Sequence, residues 1–106
     1  MNGIHLEELC AKHRRRRQRR QHKYLFGGSC AYCGATPYHS EAITLDHVVP
    51  KSKGGSNSFD NLLPCCTQCN GDKGSEDLWD WWQRQDFYSE SRAMAVSAFL
   101  AGWWIA

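Results

Sequence analysis

Four of the six cysteines in this 106-residue chain fall into two identically spaced pairs, Cys30-x-x-Cys33 and Cys66-x-x-Cys69. A two-residue gap turns the backbone so that both sulfurs of a pair point inward. Two such pairs supply the four thiolates of a tetrahedral structural zinc site. Disulfides and redox-active thiols are competing uses of the same residues. Cys65-x-x-x-Cys69 is a second register for the downstream pair, but the repeated two-residue gap favours Cys66 and leaves Cys65 as a small buried side chain. Cys10 reads as an unliganded thiol. The 32 residues between the pairs are too many for a compact ribbon, so they must fold something of their own. They include "LDHVVPKSKGGSNSFDN", with an Asp46-His47 doublet, a Gly54-Gly55 loop and Asn61, and Asn70 directly follows the second pair. Taken singly, an Asp-His doublet is commonly an exposed turn and an Asn a turn or helix-cap residue.

Taken in order, "CAYCG" and then "LDHVVPKSKGGSNSFDNLLPCCTQCNGDKG" resemble the HNH nuclease family over residues 30 to 74. The family signature would be carried by His47, Asn61 and Asn70; the last position is often His, so this is an HNN version. The resemblance implies a ββα-metal (His-Me finger) fold. It also implies a metal-dependent DNA endonuclease whose products carry a 5′-phosphate and a 3′-hydroxyl. Phosphodiester hydrolysis needs an activated water, a Lewis acid and stabilisation of charge on the departing oxygen. A histidine with a pKa near ~6.5 suits a general base at neutral pH, and His47 is the candidate. Asp46, its neighbour on an extended chain, points to the opposite side and is expected to be free to hold a cation. Asn70, expected to start the following helix, would add an amide oxygen. That pair suits a hard ion, Mg²⁺ or Mn²⁺. Asn61 is implied to hold the loop that carries His47. Lys51, Lys53 and Lys73 flank the site and could touch phosphates, although solvation of loop lysines explains them equally well. His39 has no motif support.

These residues need elements to position them. The segment before Gly27-Gly28 has no proline and is rich in helix formers, and Ile4, Leu6 and Leu9 give it a little apolar surface. "EAITLDHVVP" reads as a strand ending near Asp46-His47, "KSKGGSNSFDN" as a loop and "NLLP" as a second short strand. A helix should begin near Cys66, with Gly71 and Gly74 marking its breaks. Ser75 is the candidate cap of a helix through "LWDWWQRQ", and Ser89 of a last one over Glu90 to Leu100. Val96, Phe99, Leu100 and Trp103 share helical spacing. The expected architecture is therefore a small zinc-stapled α+β protein. A basic N-terminal helix (1–27) precedes the nuclease core (28–74), and a helical extension (75–106) follows it.

A formal net charge of +2 hides a strong asymmetry. Residues 12 to 23, "KHRRRRQRRQHK", hold eight cations and no acid, leaving five cations against eleven acids elsewhere. Arg14, Arg15, Arg16, Arg17, Arg19 and Arg20 suit binding to the backbone of double-stranded DNA, without reading its sequence. A disordered tail or a localisation signal is the plainer reading of such a run. No secretory h-region opens the chain. The longest apolar tract, 14 residues from Ala93, is too short to span a bilayer, so we expect a cytoplasmic protein with no membrane partner. Trp79, Trp81, Trp82, Trp103 and Trp104 are expected to pack the C-terminal helices on the core. A homodimer or phage- or host-protein interface is the second reading of these tryptophans, and base stacking the third. By family analogy, the small size fits a phage homing, nicking or packaging-associated enzyme. A non-catalytic zinc module that binds nucleic acid, a resolvase of branched DNA and a tryptophan-faced interaction protein are the alternatives. In the zinc-module reading the Asp46-His47 pair would be incidental.

Overall fold

The computed structural model describes residues 3–102; Trp103, Trp104 and the Ile4 side chain lie outside that description. Helix α1 spans Gly3–His22, strand β1 Ile43–His47, strand β2 Leu62–Cys66, helix α2 Thr67–Lys73, helix α3 Leu78–Gln83 and helix α4 Glu90–Leu100. This is the α+β arrangement expected from the sequence, with one two-stranded sheet and four α-helices among the described residues.

The strands pair antiparallel, Ile43 opposite Cys66 and His47 opposite Leu62. Strand β2 runs two residues beyond the expected "NLLP", through Pro64 to Cys66. Proline is tolerated because a two-stranded sheet leaves each strand an open edge. The Pro64 carbonyl accepts a hydrogen bond from the Ala31 N–H (2.9 Å), so the first cysteine turn docks on that edge. Cys66 then caps α2, its sulfur accepting from the Cys69 N–H. Gly71 does not break α2, because an isolated exposed glycine lowers helix stability by only about 1 kcal/mol. Gly74, at φ +53°, ends it.

Asp77, not Ser75, caps α3. The Glu76 N–H still bonds back to the Lys73 carbonyl, so the chain is first free to start a new helix at Asp77, whose Oδ2 accepts from the Asp80 N–H. Ser89 caps α4 as expected.

The core joins the first cysteine turn, the sheet and both C-terminal helices in one cluster that includes Tyr32, Ile43, Leu63, Leu78, Trp81, Trp82, Val96 and Phe99. The indole of Trp82 donates to the Tyr32 carbonyl (2.9 Å) and that of Trp81 to Asp72 (2.9 Å), so both buried N–H groups are satisfied. Trp79 stacks on Trp82 from a half-buried position. Helix α1 contributes little apolar surface: Leu6 and Leu9 are exposed, while its last residue, His22, packs against Phe59 and Phe99. Trp82→Ala should cost about 3–5 kcal/mol in urea denaturation, and Trp79→Ala well under half of that. Equal losses would contradict this account of the core.

Candidate active site

The sulfurs of Cys30, Cys33, Cys66 and Cys69 all lie within 4.8 Å of one another. Cys65 faces the opposite way, buried against the Thr44 hydroxyl, because adjacent residues of β2 point to opposite sides. The register with Cys66 therefore holds, and Cys10 is an exposed free thiol. Burial pushes the Cys30 and Cys69 thiols up, and for Cys69 the neighbouring sulfurs push further in the same direction. Burial also pushes on Cys66, but hydrogen bonds from the Cys69 N–H and the surrounding thiols outweigh it and bring that thiol down. Four thiolates this close are mutually repulsive unless a cation sits among them, so the donor set fits a thiophilic metal ion.

His47 ends β1, half-exposed, and opens the loop that returns to β2. Two glycines shape that loop. Gly54 sits at φ +89°, and a Cβ on Gly55 would lie 1.7 Å from the Val49 carbonyl oxygen. Asn61 ties the loop closed from the other end. Its Oδ1 accepts from the Val49 N–H (2.9 Å), and its Nδ2 donates to the carbonyls of Val49 (3.1 Å) and Ser56 (2.9 Å). The Asn61 carbonyl also accepts from the Val48 N–H (2.9 Å). His47 Nε2 lies 2.9 Å from Oδ1 of Asn57, a residue the sequence did not single out.

Asp46 points away from His47, as the strand alternation requires, but it is not free. Its carboxylate accepts from the Tyr32 hydroxyl (2.6 Å) and pairs with the Lys73 ammonium (3.1 Å) in a buried setting. Burial first, and then the Asp46 charge, push the Tyr32 phenol well up, so it stays protonated and donates. Lys73 also reaches the His47 carbonyl (3.2 Å) and is 1% exposed. It is thus a core counter-ion rather than a loop lysine open to phosphate, because helix α2 continues through it and lays it across β1. Asn70 lies within α2 rather than at its start, one turn before Lys73 on the same face. Its Nδ2 donates to the Thr44 hydroxyl (2.8 Å), and among the described residues no hydrogen bond engages its Oδ1. Asp46 and Asn70 therefore offer hard oxygen donors from facing elements, with Lys73 supplying the positive charge there.

Lys51 and Lys53 are exposed in the loop after Pro50, and His39 is an exposed surface residue. Arg14, Arg16, Arg17, Arg19 and Arg20 are exposed along α1. Arg15 is also exposed, but it donates to the Asn57 carbonyl (2.7 Å) and lies over the Phe59 ring (5.0 Å). Asn57, Tyr32 and the pairing of Lys73 were not legible in the sequence. Only Lys73 left a signal, its spacing of three from Asn70. Because the raised thiols of Cys30 and Cys69 must release protons to bind a metal, Zn²⁺ affinity should rise with pH across the neutral range in a competition titration. A pH-independent affinity would mean that thiols are not the ligands.

Comparison with known proteins gives the site its family. The model of the HNH endonuclease family matches residues 30–76. The chain is similar to CRISPR-associated endonuclease Cas9 of Actinomyces naeslundii, 40% identical over 62 residues, covering 57% of this chain and 5% of that protein. It is 38% identical over 53 residues to CRISPR-associated endonuclease Cas9 of Corynebacterium diphtheriae, covering 49% of this chain and 5% of the relative. The chain thus spans about a twentieth of the length of the curated relatives it matches. The crystal structure of the type II-C Cas9 enzyme from Actinomyces naeslundii superposes with a TM-score of 0.57 at 26% identity, over 77% of this chain and 12% of that one. Among the described residues, no helix is long and apolar enough to cross a membrane. The cysteine clip and the pinned His47 loop both lie within the stretch that matches the HNH endonuclease family model, residues 30–76.

Proposed function

We propose that this chain hydrolyses phosphodiester bonds of double-stranded DNA, with His47 as the general base. The observation that carries this reading is the pinned loop: Asn61 fixes the backbone on either side of the turn, so the half-exposed imidazole is held at the end of a rigid strand. In this mechanism His47 accepts a proton from water as the water attacks phosphorus in line. The 3′ oxygen departs, leaving a 5′-phosphate on the other fragment. Asn61 acts on the backbone and not on substrate, so it is a positioning residue.

The four cysteines would hold structural Zn²⁺, which matches their thiolate donors. Asp46 and Asn70 would hold Mg²⁺ or Mn²⁺, which supplies Lewis-acid stabilisation of charge on phosphate and on the departing oxygen. A cation at Asp46 competes there with the Lys73 ammonium. The exposed arginines of α1, with Lys51 and Lys53, would contact phosphates, giving affinity that falls with salt. We further propose residues 28–74 as the catalytic core and 1–27 as the DNA-gripping arm. The extension, proposed as 75–106, shares the core's apolar cluster through residues Leu78 to Phe99.

The commitment of Asp46 to Tyr32 and Lys73 favours a second reading, a zinc-clipped module that binds DNA without cutting it. Supercoiled-plasmid cleavage with Mg²⁺ or Mn²⁺ separates the two. His47→Ala should lower the rate about 10²–10⁴-fold while DNA affinity in a shift assay stays unchanged. If the native protein binds duplex and branched DNA yet cuts neither, the second reading takes over.

A further inference from the structure

Helix α1 is an unlikely part of a catalytic centre by composition, yet it ends up two contacts from His47. Arg15 projects from the basic run onto the loop between the strands, where its guanidinium donates to the Asn57 carbonyl at 2.7 Å and covers the Phe59 ring at 5.0 Å. The side chain of the same Asn57 meets His47 Nε2 at 2.9 Å through its Oδ1. Lower down, His22 anchors the end of α1 through Nε2 at 2.6 Å from the Leu62 carbonyl, and Leu62 is the cross-strand partner of His47. Two points of α1 thus grip the two segments that border the imidazole.

An imidazole that acts as a base must present one nitrogen as a lone pair and carry its proton on the other. An amide oxygen facing Nε2 accepts a hydrogen bond but cannot donate one, so it favours the Nε2–H tautomer and leaves Nδ1 as the basic nitrogen. We propose that Asn57 is the positioning residue that fixes the ring and tautomer of His47, and that Arg15 is the strut that holds Asn57 in place. The basic helix is then part of the catalytic assembly as well as a grip on DNA. Arg15, exposed like the other arginines of the run, differs from them in that its guanidinium also hydrogen-bonds and stacks within the protein. This inference rests on His47 being the base, but its first readout does not need catalysis.

Long-range ¹⁵N–¹H correlation spectra of the free protein report the His47 tautomer directly. The native ring should be mainly Nε2–H, and Asn57→Ala should shift it toward a mixture of tautomers. Under single-turnover conditions at saturating DNA, Asn57→Ala should cut about tenfold or more slowly with its DNA dissociation constant within about twofold of native. Arg15→Gln and Arg14→Gln each remove one charge and should weaken binding alike. The Arg14 side chain makes no hydrogen bond among the described residues, so the saturated rate and the His47 spectrum should be hit harder in Arg15→Gln. An Asn57→Ala protein with native tautomer and native rate would overturn the role of Asn57. Equal saturated rates in the two arginine variants would overturn the strut. If the native protein cuts nothing, the nuclease reading fails, and the spectra still decide whether Asn57 sets the ring.

Discussion

Four sulfurs held within 4.8 Å of one another are the constraint on which the rest of this molecule depends. They join the first turn, Cys30 and Cys33, to the end of β2 at Cys66, so the 32 residues between Cys33 and Cys66 must return to where they started. Loop closure of that length costs entropy that a core of this size does little to offset, and a metal bound by the four thiolates would supply the missing stabilisation. The same sulfurs set direction. Cys66 caps α2, which aims Asn70 and Lys73 at β1, and Pro64 receives the Ala31 N–H, which seats the first turn on the sheet edge. The clip is built into the strand–helix junction that carries the site rather than appended to it.

The second constraint is electrostatic and lies beneath the site. Asp46, Tyr32 and Lys73 form a buried triad linking β1, the first cysteine turn and α2. Desolvating both charges is costly, and the pair persists because each has further partners: Tyr32 for the carboxylate, the His47 carbonyl for the ammonium. The triad fixes the backbone of the Asp46-His47 doublet from below. Asn61 and the Gly54-Gly55 turn fix the loop from above. His47 stands between these restraints with its ring on the open side, where local fluctuation would otherwise be greatest.

Short-range chemistry was legible in the sequence and long-range packing was not. The cysteine spacing, the strand before His47 and the Ser89 cap are all local signals, and the structure shows each of them. Gly71 and Ser75 misled because a glycine alone does not end a helix whose other residues keep their bonds, and because the Glu76 N–H still bonds back to the Lys73 carbonyl after α2 has ended at Gly74. Asp46 looked free because strand alternation says which side a residue faces but not what waits there. Lys73 looked like a loop lysine because polar neighbours hid its place on the buried face of α2. Asn57 left no mark at all. Its contact with His47 follows from the fold of a ten-residue stretch, and its contact with Arg15 spans 42 residues of sequence.

The central claim is that closure of the thiol clip assembles the His47 loop, and hydrogen exchange at two amides tests it most directly. The Val48 and Val49 N–H groups are both held by Asn61, far in sequence from any cysteine of the first pair. In protein loaded with Zn²⁺ these amides should exchange slowly, and after chelation they should lose protection together with the amides of β1 and β2. Protection of Val48 and Val49 that survives complete metal removal would show that the loop folds without the clip, and would contradict the account.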